Sequence, residues 1–299
     1  MTAATDPPRP TSPTHRLASW LHARSRLSLG LLLAGPIGWM LLAYLGSLAI
    51  LLLNAFWAKD SFSGQVEPFN WSLDAFSAIF EDPVYRTIAL RTIGIAVLVT
   101  LTDLLLALPI AYYMARIAGP RTRRLMVIAV VMPLWAAYLV KVYAWRTILQ
   151  ANGFFEWALT PFGVEAPGLG AIANSWIVLS YLWLPYMILP IYAGFERIPG
   201  SLLEASSDLG GRAGVTFRRV VLPLMVPAMV AGSIFTFSLT LGDYITPVLV
   251  SDAKFIGNVI YDNSSLGNVP LAAAYSLLPI LIMVGYLLVA RRVGAFDSL

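Results

Sequence analysis

Repeated apolar runs constrain the fold of this chain more than any other feature of its sequence. Six stretches are long enough to cross about 30 Å of hydrocarbon, which takes about 20 helical residues. They run over residues 29–57, 87–117, 125–148, 173–195, 223–250 and 271–290. Charged residues make up only 12% of the 299 residues, against about 25% in a typical soluble domain. The sequence therefore predicts an all-α integral membrane protein with six transmembrane helices, called spans one to six below.

The distribution of basic residues predicts the orientation of the spans, because cytoplasmic connections carry an excess of Lys and Arg. If the N-terminus is inside, 14 of the 20 basic residues face the cytoplasm. These are Arg9, Arg16, Arg24, Arg26, Arg116, Arg121, Arg123, Arg124, Arg197, Arg212, Arg218, Arg219, Arg291 and Arg292. The opposite connections are mostly acidic. We therefore expect both termini to be cytoplasmic.

The two ends of the chain differ in composition from the spans. Residues 1–28 are rich in Pro, Ser, Thr and Arg, which predicts a disordered cytoplasmic tail. The apolar run that follows exceeds the 7–15 residues of a signal-peptide core, so we interpret it as an uncleaved first span. This predicts a transmembrane domain over 29–290 and a cytoplasmic C-terminal tail over 291–299.

Several function classes lack support in the sequence. The chain has no cysteine, and its two histidines lie in the N-terminal tail, so thiolate or histidine metal sites are not expected. No phosphate-binding loop, metalloprotease or serine-hydrolase motif is present. The basic excess is explained by the orientation of the spans, and no basic segment with interleaved aromatics suggests nucleic acid. Transport, assembly and signalling remain.

The outer connections 58–86, 149–172 and 251–270 are rich in aromatic residues and are expected to hold amphipathic segments that lie along the membrane interface.

The cytoplasmic connection 196–222 differs from the outer connections, because it is polar and contains several glycines. Ser201 and Glu204 have the spacing of a capping box and predict a helix over about 202–209. Gly210 and Gly211 are expected to end it by supplying positive φ. A second helix is predicted to begin near 214–216 and to continue into span five.

This connection resembles the EAA loop of bacterial ABC importer permeases. That motif consists of E-A-A, three residues, G, nine residues, a β-branched residue, one residue and L-P. Here Glu204-Ala205-Ser206 is followed by Gly210, then by Val220 and by Leu222-Pro223. Ser206 and Val220 depart from the usual alanine and isoleucine. Segments 134–145, 241–250 and 256–260 are in turn similar to spermidine/putrescine permeases.

The resemblance implies a type I ABC importer permease in the bacterial inner membrane. Such a permease pairs with a second permease, two ATPase subunits and an extracytoplasmic binding protein. It implies that Glu204, Ala205, Asp208 and Gly210 belong to a helix that docks on the ATPase, and that Leu222-Pro223 begins a span that moves with it. Ser206, Phe217 and Arg218 belong to the same coupling segment. The chain is expected to catalyse nothing and to bind no cofactor, because ATP and Mg²⁺ are held by the partner ATPase.

The substrate path is expected among the few charges inside the spans, which are functional candidates by default. Asp103 lies near the middle of span two, whereas Lys141 and Asp243 both fall in the outer half of the membrane. Lys141 and Asp243 either pair with each other, or Asp243 faces the path and attracts a cation. Aromatic faces for ammonium groups would come from Tyr244, Trp135, Tyr138, Tyr143 and Trp183.

A polyamine is the solute that this pattern and the resemblance favour. Another small organic solute stays open, because Lys141 would repel a cation if unpaired and because the binding protein sets most of the specificity in this class. An ion-coupled secondary transporter would need no ATPase and often shows inverted repeats. A membrane scaffold or enzyme subunit is the remaining alternative. A neighbouring gene for a Walker-A protein would favour the ABC importer over both.

Overall fold

The structure is a computed structural model that describes residues 25–60, 64–150, 153–154, 157 and 170–292. Most of the predicted N-terminal tail, the predicted C-terminal tail from 293 onward and most of the connection 149–172 lie outside the described residues. The chain divides into two compact units between residues 53 and 54.

The described part of the first unit is helical. It comprises Ser25–Trp39, a π-helical segment Met40–Leu45 and Gly46–Asn54, whose last residue already belongs to the second unit. Leu32–Asn54 is long and apolar enough to cross a membrane. The first predicted span is therefore confirmed.

The second unit holds four more unbroken candidate spans, at Pro83–Ile117, Ala171–Arg197, Ala213–Gly242 and Val269–Arg292. They correspond to predicted spans two, four, five and six. The last turn of span two, Tyr113–Ile117, is π-helical, and so is the segment Phe217–Val221 at the start of span five. With a bent helix pair counted as span three, the described residues hold the six spans that the sequence predicts.

Span three is not one continuous helix, and the prediction over 125–148 was wrong in that respect. The structure has two helices, Pro120–Trp135 and Tyr138–Leu149, which meet at 95°. Ala136 and Ala137 between them are extended, with ψ of 137° and 134°. Hydropathy does not report this break, because both helices are apolar.

Span five also ends earlier than predicted. Its helix ends at Gly242, and Asp243 is extended with φ −73° and ψ 124°. A separate short helix, Ile245–Val250, follows. The predicted helix over 223–250 was therefore wrong beyond residue 242, because the hydrogen bonds of Asp243 described below start a new helix.

The outer connections contain regular structure. In the first of them, Trp57–Lys59 pairs antiparallel with Val66–Trp71, and the helix Asp74–Glu81 follows. This hairpin is a departure from the amphipathic pieces predicted there. In the last connection, the helix Ile256–Ser265 packs against span six.

Spans two, four and five pack against one another in the core of the second unit. Small residues allow close approach between spans four and five, as is common in membrane bundles. A Cβ atom at Gly194 would lie 2.6 Å from the Cβ of Ala228, and one at Gly232 would lie 2.7 Å from the sulfur of Met187. These contacts show that the backbones of spans four and five approach each other closely.

Candidate functional site

The loop between spans four and five begins with a helix at Gly200–Asp208, called the loop helix below. The predicted capping box is wrong. The N-cap position is Pro199, and no side chain caps the helix, because Ser201 lies inside its first turn. Pro199, with φ −64° and ψ 139°, instead ends the extended link from span four.

The glycine turn is confirmed at Gly210 but not at Gly211. Gly210 has φ +78°, and its N–H donates to Ser207 O at 2.9 Å. The N–H of Gly211 donates to Ser206 O, also at 2.9 Å. These two bonds define a Schellman motif, in which the residue with positive φ is almost always glycine. The motif satisfies the last carbonyls of the loop helix.

Glycine is needed at position 211 for a steric reason, because the φ of Gly211 is not positive. A Cβ atom there would lie 2.7 Å from both the carbonyl oxygen and Oγ of Ser206 and 3.1 Å from Oγ1 of Thr216. Ser206 and Thr216 share a hydrogen bond of 2.8 Å across the turn. Gly211 therefore provides the space in which the two halves of the loop meet.

The loop presents an exposed surface made of predicted coupling residues. Glu204, Ala205 and Asp208 are all exposed on the loop helix. Leu209, which follows the helix, is 90% exposed, and the sequence reasoning left it out of the coupling residues. An apolar residue at an exposed turn is a signal that could have identified Leu209 as a candidate coupling residue. The loop thus offers two carboxylates, one small residue and one leucine to a partner.

The remaining predicted coupling residues lead from the loop into span five. Phe217 and Arg218 lie in the π-helical segment, where Phe217 is half-buried and Arg218 is exposed. Leu222 and Pro223 open the α-helical part of span five, with Leu222 half-buried. Phe217 also lines a cavity of about 340 Å³ behind the loop helix. Arg116, Leu203 and Ser207 line the same cavity.

At the outer end of span five, the Asp243 carboxylate accepts four hydrogen bonds. Oδ1 accepts from the backbone N–H groups of Ile245 at 2.9 Å and Thr246 at 3.1 Å. Oδ2 accepts from the hydroxyls of Tyr138 at 2.5 Å and Thr246 at 2.8 Å. A carboxylate in this position starts a helix, which explains why span five breaks here. Asp243 is therefore fully hydrogen-bonded but has no cationic partner among the described residues.

Asp243 lines a cleft of about 310 Å³ together with aromatic side chains. Tyr138 and Trp183 are stacked, with ring centroids 6.0 Å apart, and Tyr244 stacks on Tyr261 at 4.7 Å. Four of the predicted path residues thus meet at one place, namely Asp243, Tyr244, Tyr138 and Trp183. Their meeting does not test the predicted role in substrate passage, which stays a prediction.

The other four predicted path residues lie elsewhere. Trp135 is 88% exposed at the bend of span three. Lys141 and Tyr143 lie on the second helix of that span and do not line the cleft. Asp103 is fully buried inside span two, where neither of its carboxylate oxygens has a hydrogen-bond partner among the described residues.

Lys141 and Asp243 do not pair in this structure. Among the described residues, the ion pairs are Arg123 with Glu196 and Lys254 with Asp262. Of the two alternatives that the sequence left open, the direct pair is therefore the one that the geometry disfavours.

Two further residues hold the cleft in shape and were missed by the sequence reasoning. Thr246 is buried and contacts both Asp243 and Tyr138. Asn258 accepts from Phe255 N–H at 2.9 Å and donates to Tyr244 O at 2.8 Å. An Asp followed three residues later by Thr is a helix-start pattern that could have indicated the first of them.

No group of three or more His, Cys, Asp or Glu side chains among the described residues could hold a metal ion. The absence of a metal or cofactor on this chain stays a prediction.

Comparison with known proteins gives a consistent result. The family model described as "Binding-protein-dependent transport system inner membrane component" matches residues 96–296. The inner membrane ABC transporter permease protein YdcU of Escherichia coli K12 is 45% identical over 289 residues, which cover 91% of this chain and 92% of YdcU. The spermidine/putrescine transport system permease protein PotB of the same strain is 28% identical over 262 residues, 86% of this chain and 94% of PotB.

Solved structures show the same fold. A chain from a bacterial ABC transporter involved in the import of the acidic polysaccharide alginate matches with a TM-score of 0.69 and 18% identity, over 92% of this chain and 99% of that one. A chain from the bacterial alginate transporter in complex with its pentasaccharide-bound periplasmic protein matches with a TM-score of 0.73 and 17% identity, over 91% and 95%. At such identities the likeness concerns the fold alone.

Proposed function

The chain belongs to the binding-protein-dependent transport system inner membrane component family and is a multi-pass permease subunit of an ABC importer in the inner membrane, and on this premise we propose that its solute is a polyamine such as spermidine or putrescine. It forms the translocation path with a second, different permease subunit. A periplasmic binding protein delivers the solute to this path. Two ATPase subunits bind and hydrolyse ATP with Mg²⁺, so this chain contributes no catalytic group. Transport proceeds by alternating access.

The observation that carries the polyamine proposal is the environment of Asp243. Its carboxylate is half-buried, has no cationic partner among the described residues, and lies beside the aromatic rings of Tyr138 and Trp183. Ammonium groups are attracted both by a carboxylate and by aromatic faces. The name of PotB supports the same solute class, whereas YdcU, the more similar of the two relatives reported above, is named without a solute.

Asp243→Asn tests this proposal, because it removes the charge while keeping the size of the side chain. The uptake of radiolabelled spermidine and putrescine is measured in cells that carry the whole importer. Loss of a charged hydrogen bond between the carboxylate and an ammonium group, worth about 1.5–3 kcal/mol, raises the KM for uptake by about 10- to 150-fold. Tyr138→Phe keeps the ring and removes the hydroxyl, so its expected effect is smaller.

Asp252→Asn is the matched control, because Asp252 is an exposed carboxylate of the same outer connection. If the cognate binding protein binds neither polyamine, the solute is a different one and the proposal fails. If it binds spermidine and Asp243→Asn leaves uptake unchanged, then Asp243 is only the start of the short helix Ile245–Val250.

For the cytoplasmic side, we propose that the loop helix docks on an ATPase subunit and that span five moves with it. The exposed Glu204, Ala205 and Asp208 form the docking surface. The Schellman motif at Gly210 and the hydrogen bond between Ser206 and Thr216 support this role, since they make the loop rigid enough to transmit a displacement.

Glu204→Ala and Gly210→Asp test the docking role. Both are expected to abolish uptake and to weaken copurification of the ATPase, while the protein still inserts in the membrane. Gly214→Ala is the control in the same loop, because an added Cβ atom there contacts nothing within 4 Å. Normal uptake and normal copurification in both test variants would exclude the docking role.

A further inference from the structure

The cytoplasmic end of span two is tied to the end of span four by one arginine. Nη2 of Arg116 donates to Phe195 O at 2.7 Å and to Ile198 O at 2.5 Å. Phe195 lies in the last turn of span four, and Ile198 is the residue just beyond it. Arg116 itself is half-buried in the π-helical turn Tyr113–Ile117.

These carbonyls lie at a helix end, where a charged donor is favourable. The last four carbonyls of a helix have no partner within it, and the C-terminal end of a helix carries partial negative charge. Phe195 O also accepts from the N–H of Ile198, at the long distance of 3.3 Å. Pro199 follows Ile198 and has no N–H to offer, and the chain is extended at both residues. A guanidinium group supplies a permanent charge and several donors in a fixed plane. Arg116 therefore closes the end of span four from another span.

A second arginine extends the same network to span three. Nε of Arg123 donates to Met114 O and Nη2 donates to Ala115 O, both at 3.0 Å, so it binds the end of span two. Its Nη1 lies 3.6 Å from Oε1 of Glu196 on span four. Glu196 also accepts a hydrogen bond from Tyr192. The cytoplasmic ends of spans two, three and four are thereby joined at one point.

We propose that Arg116 and Arg123, together called the arginine staple, are positioning residues that pass the motion of the loop helix to spans two and three. Ile198 lies two residues before the loop helix, and Arg116 lines the cavity behind it beside Leu203 and Ser207. A displacement of the loop helix acts on the peptide bonds that Arg116 holds. The inference rests on the proposed docking role of the loop and adds two spans to the moving unit.

Distance measurements between spin labels test the staple without reference to the solute. The chain has no cysteine, so labels can be attached at introduced cysteines alone. The first pair, Arg121→Cys with Ser201→Cys, spans the staple, and both positions are exposed. The second pair, Ser201→Cys with Asp252→Cys, relates the loop helix to the outer side. Both are measured in the assembled importer without nucleotide and with ATP on a hydrolysis-deficient ATPase.

In the otherwise unchanged chain, ATP is expected to alter the second distance and to leave the first unchanged, because the stapled ends move together. In Arg116→Met, the first distance is expected to change or broaden with ATP. Arg124→Met is the matched control, since Arg124 is exposed and donates no hydrogen bond within the described part of the chain. It is expected to behave as the unchanged chain does.

The outcomes separate the two proposals. If ATP changes neither distance in the unchanged chain, the docking role of the loop fails. If ATP changes the second distance while Arg116→Met and Arg123→Met both keep the first distance constant, the staple is refuted. Arg116→Lys retains one charge but not the planar donors, so its effect is expected to be intermediate. If Arg116→Met does not assemble into the importer, Arg116→Lys is used in its place in the same measurement.

A functional measurement accompanies the distances. In proteoliposomes with the complete importer and spermidine-loaded binding protein, Arg116→Met is expected to hydrolyse more ATP per spermidine imported. Residues in a coupling network change coupling by about 2- to 30-fold. A purely structural role would lower the amount of assembled importer and leave this ratio unchanged, and that result would also overturn the proposal.

Discussion

The turn at Gly210 allows a prediction whose size follows from the structure. Gly210 has φ +78°, and an added Cβ atom would have nothing within 4 Å. Gly210→Ala therefore creates no clash, and its whole effect comes from the backbone. Placing alanine in the left-handed region costs about 1–2 kcal/mol. The Schellman motif that ends the loop helix is therefore less stable by this amount.

Amide hydrogen exchange of the loop measures this loss directly. The N–H groups of residues 210 and 211 donate to Ser207 O and Ser206 O, so they exchange only when the turn opens. A cost of about 1–2 kcal/mol raises the population of the open turn by about 5- to 30-fold. Exchange at these two amides is expected to accelerate by the same factor. Gly210→Asn is expected to accelerate it less, because Asn tolerates the left-handed region better than Ala.

Two neighbouring glycines serve as comparisons. Gly214→Ala adds a Cβ atom that contacts nothing, in a short helix where Ala is favoured over Gly by about 0.5–1 kcal/mol. It should leave exchange at residues 210 and 211 unchanged or slower. Gly211→Ala should accelerate it by a different cause, because its Cβ atom would lie 2.7 Å from Ser206 O. Equal exchange in Gly210→Ala and in the unchanged chain would refute the argument from positive φ.

Two further predictions concern the bundle and the outer cleft. Gly194→Ala forces spans four and five apart, since its Cβ atom would lie 2.6 Å from that of Ala228, and it should lower the thermal stability of the purified importer by about 1–3 kcal/mol. Gly285→Ala on span six meets nothing within 4 Å and should leave the melting temperature unchanged or slightly higher; an equal decrease in both variants would contradict the packing argument. Asn258→Ala leaves the Phe255 N–H without its partner, whereas the Tyr244 carbonyl keeps the N–H of Val248 at 3.4 Å, so it should destabilise the cleft by about 1–3 kcal/mol for the one unpaired group. A melting temperature equal to that of the unchanged chain would show that the Phe255 N–H finds another partner.

Much of the fold could be predicted from the sequence, because the signals concerned are local. A helix that crosses a membrane must be apolar over about 20 residues, and this property is visible in any window of the chain. The position of the loop between spans four and five was predictable for a similar reason, since the spacing from Glu204 to Gly210 and on to Pro223 lies within one short segment. The turn at Gly210 was predicted from its residue type alone, because few other residues adopt positive φ.

The errors have identifiable physical causes. The break in span three lies at Ala136 and Ala137 between two apolar helices, so hydropathy does not mark it. The break in span five lies at Asp243, a single charged residue in an apolar run, whose carboxylate starts a new helix and also accepts from the Tyr138 hydroxyl, 105 residues away in the chain. The capping box was predicted from Ser201 and Glu204, but the extended backbone at Pro199 moved the helix start upstream of both.

The sequence by itself determined the number of spans, their expected orientation, the family and the position of the loop between spans four and five. Each of these depends on composition or spacing along the chain. Only the tertiary structure decided that Asp243 is bonded to Tyr138 rather than paired with Lys141, and that Arg116 closes the end of span four. Hydrogen bonds between spans depend on how helices pack, and residues distant in sequence carry no local sign of the partner they will meet.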